Sequence, residues 1–435
     1  MTDNSAVDTT EEQPQPVLPL LPRPRESRII YVDTAGALAD CVETLSHSKG
    51  WFAIDAERAS GFKYGQRAYL IQIKREDSPI YLIDPVAISP AAVMADFARL
   101  AELLKTDRWI LHAATQDLPC LNELGLKPSR LFDTELAGRL ASLPRVGLGA
   151  MVERFLQVRL AKEHSAVDWS IRPLAEDWLN YAALDVDVLH ELASAIEGEL
   201  ASQGKTEYAE QEFSHLLGFK PKAVKDDRWR GMTGMHEVKT QRALAIAREL
   251  WTAREELAKR IDVSPGRLLP DASITQVAVD PPVTRSALAD NKKFVGRASR
   301  TYLDTWWQAL VKGAETKQLP PLKTPSTGIP NHRSWPQRFP DANGRLVALR
   351  GEITKLSESH AIPAENLMSP ETIRQLSWQP QTEVTTESLS LRLAELGARA
   401  WQIAICASNF SEALKSLAEK SSSAENSDEA EVPQN

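Results

Sequence analysis

Cysteine is nearly absent. The 435-residue chain has three, Cys41, Cys120 and Cys406, far apart in sequence. That spacing excludes a disulfide framework and a cysteine-rich zinc module, and it points to a reducing compartment with no disulfide-linked partner. Long apolar runs are missing as well. None approaches the roughly 18–20 residues that cross a bilayer, so no membrane partner is expected. The first 25 residues lack a basic start followed by an apolar core, so no secretory leader is read there. The 20 glycines and 27 prolines are too few for a collagen-like or wholly disordered chain. The stretch nearest to a phosphate loop is Gly204-Lys205-Thr206. Its upstream glycine, Gly198, lies one position too far away, and a helix precedes it instead of a strand, which argues against a helicase. What remains is a soluble, cytoplasmic chain long enough for two or three domains.

Net positive charge is missing too, at −8 overall, but the average hides a division. Residues 27–212 carry 19 basic and 28 acidic side chains, whereas residues 213–312 carry 18 and 11. Residues 313–420 are nearly neutral, and both ends of the chain are acidic. An acidic module that handles a polyanion needs cations to do so, and a basic module beside it supplies long-range attraction for phosphates.

Residues 1–26, containing QPQPVLPLLPRPRE, read as a disordered lead. Apolar runs predict strands at 29–32, 51–55 (WFAID), 68–74 (AYLIQIK), 80–84 (IYLID) and 109–113 (WILHA). Turn residues in GFKYGQ and REDSP join the middle three into an antiparallel meander. Helical spacing predicts 34–48, started by Thr34, then 91–105, 116–124, 133–141, 147–157, 174–178 and 180–203. Together these give an α/β domain over 27–212. Residues 213–312 read as almost wholly helical, most strongly over 237–260, with a kink region DVSPGRLLPD after it. A Pro-rich linker is expected over 313–343, a second helical unit over 344–420 and an acidic disordered tail over 421–435. No short repeat period is evident, although the two C-terminal helical segments are candidates for related modules.

The most informative segment is WFAIDAER. Side chains alternate across a strand, so Asp55 and Glu57 share a face about 7 Å apart. Two acids on a core-facing strand repel each other and lose hydration, and a divalent cation relieves both costs. Alone, D-x-E is equally a strand end with two solvent-facing acids. Asp117, however, follows a second apolar strand in WILHAATQDL. Tyr181 and Asp185 stand at i and i+4 in NYAALDVDVL, on one helix face about 6 Å apart. Asp187 points elsewhere and reads as a surface acid. The chemistry that uses Asp55, Glu57, Asp117 and Asp185 together is two-metal phosphodiester hydrolysis. Hard Mg²⁺ or Mn²⁺ prefers carboxylate oxygens, and two such ions about 3.5–4 Å apart act on both sides of an in-line displacement. A tyrosine hydroxyl beside the fourth carboxylate orients the attacking water.

WFAIDAER, LHAATQDL and YAALD resemble the three exonuclease motifs of the DEDD superfamily, in its tyrosine-bearing subgroup. LIQI, FDTELAGRL, the lysine of LAKEHS and DWSIRPLAEDWLNYAALDVDVL are similar to ribonuclease D over roughly residues 27–212. The resemblance implies an α/β ribonuclease H-like exonuclease domain followed by all-α HRDC-type helical domains, and 3′→5′ exonuclease action. Asp55, Glu57, Asp117 and Asp185 would carry two divalent metal ions, and Tyr181 would position the nucleophilic water. Residues 213–312 resemble the HRDC domain through ALAIARELWTAREELAKRIDVSPGRLLPDASI, and 344–420 are expected to form a second, diverged HRDC-like domain. RNA, such as a transfer-RNA precursor or another structured RNA 3′ end, is the implied substrate, released as 5′-mononucleotides.

Substrate contacts are expected from Gln72, His112, Lys162 and Arg172. Gln72 is equally a sheet amide and His112 a core histidine. The loop RASGFKYGQRAYL and the strand after it offer Arg58, Lys63, Arg67 and Lys74 for phosphates, or form an ordinary solvated turn. Phe62 and Tyr64 stack a base or pack the loop. Two rival functions use the same residues: a DNA 3′→5′ exonuclease in repair, and a non-catalytic nucleic-acid-binding scaffold.

Overall fold

Apolar side chains at alternate or consecutive positions build a sheet, and helices with 3.6-residue periodicity cover it. The computed structural model describes residues 18–88, 90–161, 166–221, 227–323 and 328–429. It opens with β1 (Leu20–Leu21), β2 (Ile29–Val32) and α1 (Ala35–His47). Thr34 starts α1 as expected, its hydroxyl accepting from the Ala37 amide. Next come β3 (Phe52–Arg58), β4 (Ala68–Lys74), β5 (Ile80–Ile83), α2 (Pro90–Leu104), β6 (Trp109–Leu111) and α3 (Leu118–Glu123). The first unit ends with β7 (Leu131–Asp133), α4 (Thr134–Leu140), α5 (Leu148–Leu156), β8 (Arg159–Leu160), α6 (Glu176–Asp187), α7 (Leu189–Ser202) and α8 (Thr206–Leu216).

Six strands form one sheet in the order β2-β5-β4-β3-β6-β7. β3, β4 and β5 are the antiparallel meander, while β2, β6 and β7 join in parallel. β3 is therefore interior, flanked by β4 and β6 and packed against α6. The helix expected over 180–203 is two helices, broken at Val188. Among the described residues no helix is long and apolar enough to cross a membrane.

The rest of the chain is helical: α9 (Gln241–Ile261), α10 (Pro265–Leu268), α11 (Asp271–Val279), α12 (Arg285–Asp290), α13 (Arg297–Thr301) and α14 (Leu303–Glu315), then α15 (Trp335–Arg338), α16 (Pro340–His360), α17 (Ala364–Leu367), α18 (Pro370–Trp378), α19 (Thr386–Glu395) and α20 (Ala400–Glu429). A repeat runs through these. α9, α10 and α11 have 21, 4 and 9 residues, and so do α16, α17 and α18. Each of the second set starts 99 positions after its counterpart: 241 and 340, 265 and 364, 271 and 370. Both long helices end on a left-handed residue, Asp262 and Ala361.

The segment expected as a linker over 313–343 is helical at both ends, and the second helical unit begins before residue 344. Its prolines misled because Pro336 and Pro340 occupy first-turn positions of α15 and α16, where the missing amide costs nothing. The disordered lead expected over 1–26 is ordered from residue 18, with residues 1–17 outside the described part. Leu20 and Leu21 pair in parallel with Arg159 and Leu160, and the Arg25 amide donates to Asp187 at 2.7 Å. At the other end, α20 carries on through residue 429, because extending an existing helix adds a hydrogen bond per residue without a new nucleus.

Contacts distant in sequence hold the units together. The loop after β3 is strapped to the first helical module. Phe62 and Gly61 carbonyls accept from the Ser264 amide and Arg267 Nε, and the Arg267 guanidinium lies 3.9 Å over the Phe62 ring. Asp262 accepts from the Tyr64 amide and faces Lys63 and Arg67. The loop's aromatics and two of its cations are thus spent on packing. α8 binds the second module. Tyr208 stacks on Trp401 at 4.7 Å, and the buried Glu212 carboxylate accepts from Arg399 Nε at 2.5 Å and Trp401 Nε1 at 2.9 Å. Lys205, from the rejected phosphate-loop motif, donates to the Leu140 and Ala361 carbonyls.

Arg399→Ala strands Glu212 in the interface. The expected loss is about 3–5 kcal/mol, the scale for a buried pair broken from one side, with Glu212→Gln milder than Arg399→Ala. Chemical unfolding followed by tryptophan fluorescence checks the ranking; equal stability of Arg399→Ala and wild type would refute it.

Candidate active site

β3 carries Asp55 and Glu57 out of the core on one face, and its register with β4 shifts between Glu57 and Arg58. That irregularity ends regular pairing beside the two acids. Asp117 arrives from β6 by a sharp turn. Ala113 is left-handed with φ 60°, and a 3₁₀ turn over Ala114–Gln116 delivers Asp117 to the head of α3. A residue with a Cβ holds that conformation only when fixed from outside. Asp133 does so, accepting from the Ala113 and Ala114 amides at 3.0 and 2.8 Å while capping α4 through Glu135 and Leu136. α6 supplies Tyr181 and Asp185 one turn apart. The Tyr181 ring lies 6.4 Å from that of the fully buried Trp169.

One cavity of about 490 Å³ is lined by Asp55, Glu57, Asp117, Tyr181 and Asp185. Carboxylate oxygens of Asp55, Glu57 and Asp185 all lie within 4.8 Å of one another. Asp117 lies outside that trio but lines the same cavity, near enough for the Asp55 charge to act on it.

Burial dominates the electrostatics. It pushes the Asp55 carboxyl up to about 6, against the downward pull of the Ala56 amide and Arg58. Glu57 rises well above the usual carboxylate range through burial and then the charges of Asp55, Asp185 and Asp117. Asp117 and Asp185 rise for the same reasons, burial first and Asp55 next. Burial also raises the Tyr181 hydroxyl, and the Asp185 and Glu57 charges add to it. Crowded, dehydrated hard-oxygen donors whose protons are held so firmly are under-compensated in positive charge. The donor set fits divalent cations.

The four expected substrate-contacting residues separate. His112 lines the cavity; burial lowers its imidazole to about 4, and Nδ1 lies 2.8 Å from the Thr134 hydroxyl. Gln72 is fully buried opposite Asp55 on β4, and neither polar atom of its side chain has a partner among the described residues. It does not line the cavity. Arg172 is committed elsewhere. Its guanidinium grips Asp84 at 2.5 and 2.9 Å and donates to the carbonyls of Tyr69, Trp169 and Ile171. Lys162 lies outside the described residues. Asp187, expected at the surface, is buried, because Lys74 of β4 reaches it at 2.6 Å.

The sequence reading missed Asp133, although FDTE is a strand end followed by a helix cap. It also missed Glu153, Arg145 and Arg159, which line the cavity. Nothing in their local pattern marks them, since α5, the loop before it and β8 reach the cavity only through the tertiary fold.

Residues 29–201 match the family profile described as 3'-5' exonuclease, residues 243–310 the HRDC domain, and residues 328–414 the 3' to 5' exonuclease C-terminal domain. Ribonuclease D of Escherichia coli (strain K12) is 28% identical over 348 residues, 79% of this chain and 88% of that protein. Ribonuclease D of Jannaschia sp. (strain CCS1) is 27% identical over 329 residues, 73% and 81% of the two chains. A crystal structure of a protein from Bifidobacterium adolescentis superposes with TM-score 0.82 at 37% identity, over 92% of this chain and all of the other. The crystal structure of Escherichia coli RNase D gives TM-score 0.61 at 26% identity, over 84% and 99%.

The raised carboxyls have a consequence for stability. Asp55 titrates near 3.8 when unfolded and near 6 when folded, so the metal-free fold prefers the protonated form. Its contribution is intact below about pH 4 and is lost as pH rises through about 6. In chelator, the melting temperature should fall between pH 4 and pH 7, and Asp55→Asn should recover on the order of 1–2 kcal/mol at pH 7. Differential scanning calorimetry measures both; a melting temperature that rises over that interval for wild type and not for Asp55→Asn contradicts the assignment.

Proposed function

This chain belongs to the ribonuclease D family of 3′→5′ exoribonucleases, and on that premise we propose that it trims the 3′ ends of structured RNAs, transfer-RNA precursors among them, in the cytoplasm. The observation that carries the reading is the convergence of four acids and one tyrosine, from β3, α3 and α6, in one cavity. The similar Escherichia coli enzyme is described as an exoribonuclease involved in structured RNA processing.

In this proposal Asp55, Glu57, Asp117 and Asp185 hold two divalent cations, Mg²⁺ or Mn²⁺. Such ions, when bound, lower the pKa of a water and offset charge on the reacting phosphate. The chain's own residues do the rest. The carboxylates fix the geometry from a rigid central strand and a packed helix, which keeps the reacting atoms aligned. Tyr181 keeps its proton, since burial and the nearby carboxylates raise its pKa. Its hydroxyl is thus an orienting group for the attacking water and not the base that deprotonates it. His112, neutral at physiological pH, is the member of the expected substrate set retained as a contact to the terminal nucleotide. The basic module over 213–312 attracts RNA toward an otherwise acidic domain. The layout proposed is an exonuclease domain at 27–212, an HRDC domain at 213–312 and a diverged copy after it, supported by the 99-residue offset of their helices.

A time course on end-labelled RNA bearing a tRNA-like stem and 3′ overhang, beside DNA of matching sequence, tests this. Metal-dependent shortening of RNA from its 3′ end, reduced at least about 10³-fold in Asp185→Ala, is the expected outcome. Faster shortening of DNA would favour a repair nuclease. Binding without cleavage under Mg²⁺ or Mn²⁺ would leave a scaffold.

A further inference from the structure

The cavity that gathers the acids also gathers three arginines, Arg58, Arg145 and Arg159. They come from separate parts of the chain: the end of β3, the loop before α5, and β8. Arg58 sits deepest. Its side chain is 27% exposed and its guanidinium is 4.0 Å from Asp117, within Coulomb reach but beyond a hydrogen bond. Arg145 and Arg159 are exposed at the wall. Neither guanidinium forms a hydrogen bond or ion pair with another described residue, although Glu153 lines the same cavity.

Elsewhere on this chain arginines are mostly paired. Arg28, Arg75, Arg108, Arg172, Arg254 and Arg399 all meet carboxylates. With acids close by, these two guanidiniums nevertheless meet no carboxylate among the described residues. Their forked donors suit phosphate oxygens, which accept in pairs. A phosphate held at the acids would have Arg58 as its neighbour. The outer arginines are exposed to solvent on the same wall, free to meet further phosphates of a bound chain.

We propose that Arg145 and Arg159 bind the backbone phosphates on the 5′ side of the scissile one, so that the site selects a polynucleotide end over a single nucleotide ester. The inference rests on the exonuclease reading and adds a substrate-length requirement to it.

The test compares two substrates on the full chain. One is a single-stranded RNA oligonucleotide. The other is the p-nitrophenyl ester of a nucleoside 5′-monophosphate, which has the scissile bond and terminal nucleotide but no upstream phosphate. Losing two charge-assisted contacts in Arg145→Ala/Arg159→Ala should lower kcat/KM for RNA by about 30- to 100-fold, mostly through KM. The loss on the ester should be at least about tenfold smaller. The slope of log KM against log salt for RNA should drop by roughly 1.4, at ~0.7 per phosphate contact on a single strand. The double lysine variant, which keeps charge without the fork, should recover part of the RNA loss. Equal losses on both substrates, or unchanged RNA kinetics in the alanine variant, would overturn the proposal. Wild type inert on both substrates with Mg²⁺ and Mn²⁺ would overturn the exonuclease reading itself, and this inference with it.

Discussion

Mutual repulsion among buried carboxylates is the constraint that organises this molecule. Asp55, Glu57, Asp117 and Asp185 lie together in a partly dehydrated cavity, an arrangement that an unfolded chain would never adopt by itself. The surrounding fold imposes it. An interior strand with neighbours on both sides fixes the first two acids. Asp133 locks the turn that presents the third. A helix packed across the sheet brings the fourth together with its tyrosine. Asp133 is remote in sequence from the acid it positions and is more buried than Asp117 or Glu57. Stability elsewhere in the core offsets the strain concentrated here, as is usual where a site must be held ready for a charged ligand.

The acids themselves were legible in sequence because their signals are short. Asp55 and Glu57 share one strand face, and Tyr181 and Asp185 share one helix face; both relations follow from local geometry. The sheet's meander and the opening helix were legible for the same reason. What was not legible depends on partners far along the chain. Arg172 looks like a phosphate contact until Asp84, 88 residues away, is seen to occupy it. Asp187 looks like a surface acid until Lys74 reaches it across the sheet. Phe62 and Tyr64 look like bases' stacking partners until Arg267 and Asp262 of the helical module claim the loop. Prolines at 336 and 340 read as a linker only because their positions relative to the helix starts were unknown.

The two helical modules are attached in different ways. The second shares a continuous apolar core with the nuclease domain, through α8 and α20, whereas the first keeps a core of its own. It meets the nuclease domain on the loop that follows β3, through polar groups, one stacked arginine and the Tyr64 ring, which packs against the module's core. That loop follows Arg58, the last residue of β3, which lines the cavity beside the acids. The first module thus touches the nuclease domain close to β3, whereas the second is joined to it through a packed core. Domain boundaries held by polar contacts are the softer ones.

The parallel ladder between β1 and β8 has a practical side. The Pro19 and Leu21 carbonyls accept from the amides of Arg159 and Ala161, and both of those residues line the cavity. Residues 19–21 therefore lie at the edge of that cavity, far in sequence from the segment they brace. A chain shortened past Leu21 would lose both carbonyl partners and leave the Arg159 and Ala161 amides unpaired, with all four acids still in place.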